Sequence, residues 1–119
     1  GNTIPTNTPV YVNGGNAIPG QADSNPTSKV VGFTVGAAVD GDPVEVQTDG
    51  ILEGSTADWD NITNQTGGLT EGADYYLDAL TAGKMTISAP DAHGEFLVRL
   101  GRALSSTEFE IEIGAPIRL

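Results

Sequence analysis

The chain has 119 residues, no cysteine, and sixteen acidic side chains against five basic ones, for a formal net charge of −11. That length supports one domain with a modest core, and the lack of thiols excludes disulfides and thiolate metal sites. Such an acidic chain repels phosphate backbones and anionic lipid, so no nucleic acid and no membrane is expected as a partner, and no apolar run approaches the ~18 residues of a bilayer span.

Residues 1–28, GNTIPTNTPVYVNGGNAIPGQADSNPTS, form a block of their own. Pro5, Pro9, Pro19 and Pro26 fix φ and hold the residues before them extended, while the asparagines and glycines between them suit turns. No periodicity outlasts Val10-Tyr11-Val12. Yet Ile4, Val10, Tyr11, Val12 and Ile18 are spaced apolar anchors, which a disordered tail lacks. The expectation is an extended N-terminal arm, 1–28, that orders against a partner surface or neighbouring subunit through Ile4, Pro5, Val10, Tyr11, Val12 and Ile18.

From Lys29 the texture changes to short alternating runs. Val31, Phe33 and Val35 share one face of KVVGFTV. Asp40-Gly-Asp-Pro43 punctuates, Val44 to Thr48 alternates, Asp49-Gly50 turns the chain, and Ile51-Leu52 begins the return. Ser55-Thr-Ala-Asp58 has capping-box spacing, which predicts a single helical turn before Trp59. Asn61, Thr63, Asn64 and Thr66 are poor helix formers and argue against more.

Ala73–Leu77 and Lys84–Ser88 are strand candidates around Thr81-Ala82-Gly83, and Gly94–Leu104 and Glu108–Ile113 are the last two. In the final one Phe109, Ile111 and Ile113 oppose Glu108, Glu110 and Glu112, the pattern of a sheet with one wet face. The expected fold of 29–119 is therefore all-β, a compact, tulip-like β-sandwich or β-barrel of roughly seven or eight short antiparallel strands.

Few residues invite chemistry. GLTEGADYYLDALTAGKMT (68–86) ends like a phosphate-binding loop, but Asp78 stands where the first glycine belongs and Met85 where Ser or Thr must follow the lysine. Its flanks alternate like strands, so it reads as a β-hairpin. Asp40/Asp42 and Asp58/Asp60/Asn61 resemble fragments of calcium loops without the terminal glutamate, and a turn is the simpler reading. The Glu108, Glu110, Glu112 row could supply paired carboxylates, but an outward charged face is the commoner meaning, with Arg99 or Arg102 as strand-to-strand partners. His93 is the sole histidine, and Ser105 and Ser106 lack a nearby base, so no triad or histidine metal site forms. Asn61-Ile-Thr and Asn64-Gln-Thr match glycosylation acceptors, a tripeptide frequent by chance. Trp59, Tyr75 and Tyr76 could stack on sugar, although core packing is the usual role of such rings. No catalytic residue, metal or cofactor is expected.

Several strings in 57–113 carry a pattern: Ala57-Asp-Trp-Asp-Asn-Ile-Thr, Gly67-Gly-Leu-Thr-Glu-Gly-Ala-Asp-Tyr-Tyr-Leu, Ala82-Gly-Lys-Met-Thr, Ala89-Pro90, Val98-Arg-Leu-Gly-Arg-Ala-Leu-Ser and Thr107-Glu-Phe-Glu-Ile-Glu-Ile. In order and spacing they resemble a β-rich module of tailed-bacteriophage virion proteins, found in small capsid-decorating (cement) proteins and in head- or tail-fibre segments. About half the chain is covered. The resemblance implies a non-enzymatic virion structural protein without choosing between decoration and fibre. Decoration would place it on the capsid outer surface with the major capsid protein as partner and, by analogy with the family, as a homotrimer. A fibre would show a stalk repeat or heptads, and neither is present, so decoration is the expected role. The alternative is a head- or tail-fibre host-recognition module binding surface glycan through Trp59, Tyr75 and Tyr76.

Overall fold

In the computed structural model the described residues are 3–13, 16–23, 25–36, 38–39 and 45–119. The Asp40-Gly-Asp-Pro43 turn, with its candidate calcium-loop fragment, lies outside them. The first half of the chain supplies β1 (Thr3–Ile4), β2 (Pro9–Asn13), β3 (Asn16–Pro19), α1 (Asn25–Ser28), β4 (Gly32–Val35), β5 (Ala38–Val39), β6 (Glu45–Gln47) and β7 (Gly50–Glu53). The second half supplies α2 (Thr56–Thr63), β8 (Asp74–Leu77), β9 (Met85–Thr86), β10 (Phe96–Leu97), β11 (Arg99–Ala103), β12 (Glu108–Ile111) and β13 (Ile117–Arg118).

A five-stranded sheet runs in the order β7-β12-β11-β8-β9 and a four-stranded sheet in the order β3-β2-β4-β6, while β1 pairs β5 and β10 pairs β13 in two smaller sheets. All strand pairings among the described residues are antiparallel. The C-terminal region is one interrupted hairpin. Beyond the β11–β12 ladder, the Glu112 N–H donates to the Leu100 carbonyl, the Gly114 N–H to Arg99, and the Leu119 N–H to Glu95.

The fold is mixed α/β with open sheets, which corrects the expectation of an all-β sandwich or barrel. Neither large sheet closes, because β7 and β9 end one and β3 and β6 end the other. The helical content was underestimated at α2, where eight residues fold and not one turn. Ser55 and Asp58 form the reciprocal capping box, and Asn64 closes the other end in the left-handed conformation (φ 58°). Trp59, Ile62 and Thr63 fall on one buried face, and the Thr63 hydroxyl donates to the Trp59 carbonyl at 2.8 Å. Burial of that face outweighs the weak helix propensity of Asn61 and Thr63, a difference of only tenths of a kcal/mol per residue.

The core joins both sheets to the helix. Phe109 on β12 is its centre, with ring centroids 5.5 Å from Phe33 of β4, 5.7 Å from Trp59 of α2 and 5.8 Å from Tyr75 of β8. Leu52, Leu77, Met85, Val98 and Leu100 fill the space around these rings.

Open sheets leave strand edges, and this chain covers them with side chains. The Gln47 amide donates to the Ile51 carbonyl at 3.0 Å, and Asn7 reaches the Glu53 carbonyl at 3.5 Å, so both occupy acceptors of edge strand β7. Helix α2 packs against β9 at the other edge. Pro19 ends β3 without an N–H to offer.

Candidate functional site

The block 1–28 is built into the folded body. Strand β2 sits between β3 and β4, with Tyr11 opposite Ile18 and Val10 opposite Gly32. Val10 is fully buried. Ile4, Tyr11 and Ile18 are half-buried, Pro5 is exposed, and Val12 is 54% exposed. The Pro5 carbonyl accepts from the Thr8 and Thr34 hydroxyls, both at 2.8 Å, which ties the start of the chain to β4. Of the six candidate contact residues, Pro5 and Val12 therefore offer the most surface and Val10 none.

The three aromatic candidates are not brought together on a surface. Trp59 and Tyr75 are fully buried. The Trp59 indole Nε1–H donates to the Thr107 carbonyl at 2.9 Å. The Tyr75 hydroxyl donates to Gln65 Oε1 at 2.6 Å and accepts from the Thr70 N–H at 2.8 Å. Both polar tips are satisfied internally, as buried Trp and Tyr require. Tyr76, the next residue on β8, is half-buried opposite Arg99 and Thr86.

Charge gathers on the half of the five-stranded sheet that points away from the core. Arg99 Nη2 lies 3.0 Å from Asp74 and its Nη1 3.7 Å from Glu112, while Arg102 Nε lies 3.6 Å from Asp74. Arg102 also faces Glu110 in register. The glutamate row thus has arginines on the neighbouring strand, as the alternation predicts. The hydrogen bond from Arg99 is the main reason the Asp74 carboxyl titrates below its usual range, desolvation opposes it, and the Arg99 and Arg102 charges assist it. The same bond raises Arg99 further above neutrality. Glu108 faces Glu53 across β12 and β7, a like-charge pair relieved in part by the Ser105 hydroxyl, which lies 3.3 Å from Glu108. These groups sit in water and hold one another, an arrangement suited to solubility and recognition more than to proton transfer.

The remaining polar candidates have structural employment. Asp58 caps α2, and both Asp60 oxygens accept from the Gly67 and Gly68 amides at 3.2 and 2.7 Å. Lys84, the lysine of the apparent phosphate loop, donates its Nζ to the Asn61 carbonyl at the end of α2. The segment around it is the β8–β9 hairpin, with Tyr76 opposite Thr86 and Leu77 opposite Met85. His93 lies exposed in a turn. Among the described residues, no group of three or more His, Asp and Glu is placed to hold a metal ion.

One surface residue escaped sequence reasoning. Leu80, in the turn between β8 and β9, is 83% exposed. The signal was there to read, because a large apolar side chain at a hairpin turn has no strand face on which to bury.

No protein-family model, curated protein or solved structure matches the chain.

Proposed function

We propose that this chain is a non-enzymatic structural protein of a tailed-bacteriophage virion, which decorates the capsid exterior and cements it by binding across neighbouring major capsid protein subunits. One observation carries the reading. Apart from Ala89-Pro90, in the loop after β9, the strings of 57–113 that resemble the virion module meet in one folded unit built on α2, the β8–β9 hairpin and the β11–β12 hairpin, with Trp59 and Tyr75 both against Phe109 at its centre. Most of the resemblance thus falls on residues that fold together. An outer face of paired charges, and a net charge that disfavours packaged DNA, suit the outside of a shell.

Binding the assembled lattice in preference to free subunits would stabilise it by linkage, and many weak contacts on one lattice would add through avidity. The exposed Val12 and Pro5 are the apolar contacts we assign to the capsid. A homotrimer rests on the resemblance alone. The glycan-binding alternative needs ring faces in solvent, and burial of Trp59 and Tyr75 removes two of its three rings.

The test is co-sedimentation of the purified protein with DNA-free expanded shells of its own phage that lack it. Wild type should pellet at a saturable ratio and raise the temperature at which the shells rupture, and Val12→Asp should reduce occupancy. Wild type left in the supernatant would overturn decoration, and unchanged Val12→Asp occupancy would overturn this contact. A point substitution is preferred to truncation, because residues 1–20 hold β1, β2 and β3.

A further inference from the structure

Arg99 and Arg102 stand three residues apart on β11, a spacing that strict strand alternation sends to opposite faces. They share one face because the strand is bulged. Arg99 lies opposite Tyr76 and Gly101 opposite Tyr75, so two steps along β11 match one along β8. Bulges re-aim side chains in this way and are over-represented beside functional sites. Here the bulge brings two of the chain's five basic residues onto Asp74, with Arg99 3.0 Å and Arg102 3.6 Å from the same carboxylate oxygen.

Tyr76 completes the cluster. It is paired in register with Arg99 on one side and Thr86 on the other. It shares the outward face of β8 with Asp74, while Tyr75 and Leu77 are buried on the opposite face. Glu112 closes the far side, 3.7 Å from Arg99. The side chains of Arg99, Arg102, Asp74 and Glu112 keep from 33% to 56% of their surface in solvent. Each guanidinium has five donors and each carboxylate about four acceptor sites, so three contacts leave most of that capacity unused.

The charges restrict what can bind. An anion would meet Asp74, Glu112 and the Glu110 that faces Arg102, and a cation would meet both arginines. Either would also disrupt pairs that already neutralise one another. A neutral ligand rich in hydroxyls escapes both costs, because each hydroxyl donates to a carboxylate and accepts from a guanidinium. An aromatic ring beside those groups supplies apolar contact for the C–H face of a sugar. We propose that Tyr76, Asp74, Arg99, Arg102 and Glu112 form a shallow site for a neutral hexopyranose on the outer face of the five-stranded sheet. It dispenses with Trp59 and Tyr75, which are buried. It does not rest on the decoration reading, and the two fail separately, because its test involves no capsid.

The experiment is an NMR titration of the isotope-labelled full chain with glucose, galactose, mannose and N-acetylglucosamine. Glucuronate and protonated glucosamine serve as anionic and cationic comparators. At least one neutral sugar should give saturable shifts at millimolar concentration, centred on the amides of Tyr76, Arg99 and Arg102. Tyr76→Ala should weaken that binding about tenfold or more, and Tyr76→Phe, which keeps the ring, by far less. Arg102→Gln, at a more exposed position, should weaken it too, whereas Tyr11→Ala on the other large sheet should leave it unchanged. Saturable shifts with none of the neutral sugars overturn the proposal, as do shifts centred elsewhere or tighter binding of either charged sugar. Folded Tyr76→Ala or Arg102→Gln binding like wild type overturns it as well, with circular dichroism melts as the check on folding.

Discussion

Phe109 touches three aromatic rings and Phe33 touches one, the contact they share. Both side chains are fully buried. Substituting either by Leu keeps much of the apolar volume, so the transfer term changes little and the aromatic geometry is what is lost. At about 0.5–1.5 kcal/mol per aromatic pair, Phe33→Leu forfeits one such term and Phe109→Leu three. The expected difference between the two variants is then about 1–3 kcal/mol, with Phe109→Leu the worse. Against the ~5–15 kcal/mol that stabilises an ordinary domain, that gap is easily resolved. Urea unfolding followed by fluorescence of Trp59, the single tryptophan, gives both values from shifts in midpoint at constant slope. Equal costs, or a larger cost for Phe33→Leu, would refute the claim that Phe109 joins the helix and both sheets.

Four other substitutions probe separate links. Ser55→Ala removes the hydroxyl that accepts the Asp58 N–H and should cost about 0.5–2 kcal/mol in the same assay. Gly101→Ala sets a Cβ against the Glu110 carbonyl and 2.9 Å from the Phe109 ring, and should cost about 3 kcal/mol or prevent folding, as judged by yield and near-UV dichroism. Glu53→Lys turns the Glu53–Glu108 repulsion into an attraction and should raise stability by up to about 1 kcal/mol, most at low salt. Asp74 has a folded-state pKa below its unfolded one, so its contribution is present above about pH 4 and fades as pH falls through the lower, folded value. Asp74→Asn should therefore lower the melting temperature at neutral pH and flatten its fall below about pH 4.

What could be read from the sequence followed from periodicity. Phe109 and Ile111 alternate with Glu108 and Glu110, and β12 buries the former while half-exposing the latter. The hairpin reading of 68–86 holds for the same reason, since Tyr75 and Leu77 alternate with Tyr76 and their partners follow after one turn. Helix α2 was cut short because propensity is a local quantity, whereas the burial of Trp59 and Ile62 depends on strands distant in the chain.

The N-terminal block looked like an arm because β2 alternates for only three apolar residues, and its partners, β3 and β4, are short. Nothing local could reveal that Val10 lies inside the fold, or that Asn7 and Gln47 cover the edge of β7. The openness of the sheets was illegible too, since strand count and spacing are alike for an open sheet and a closed one. For the surface, the charge pattern was readable, and so was the exposure of Leu80 once 68–86 is taken as a hairpin.

The central claim is that this fold decorates a capsid, and a cryo-electron microscopy map of the phage particle tests it most directly. The account predicts density matching this fold on the outer shell, bridging neighbouring capsid subunits and absent from particles that lack the gene. Density for the same fold at a tail or head fibre, with a bare capsid exterior, would contradict it.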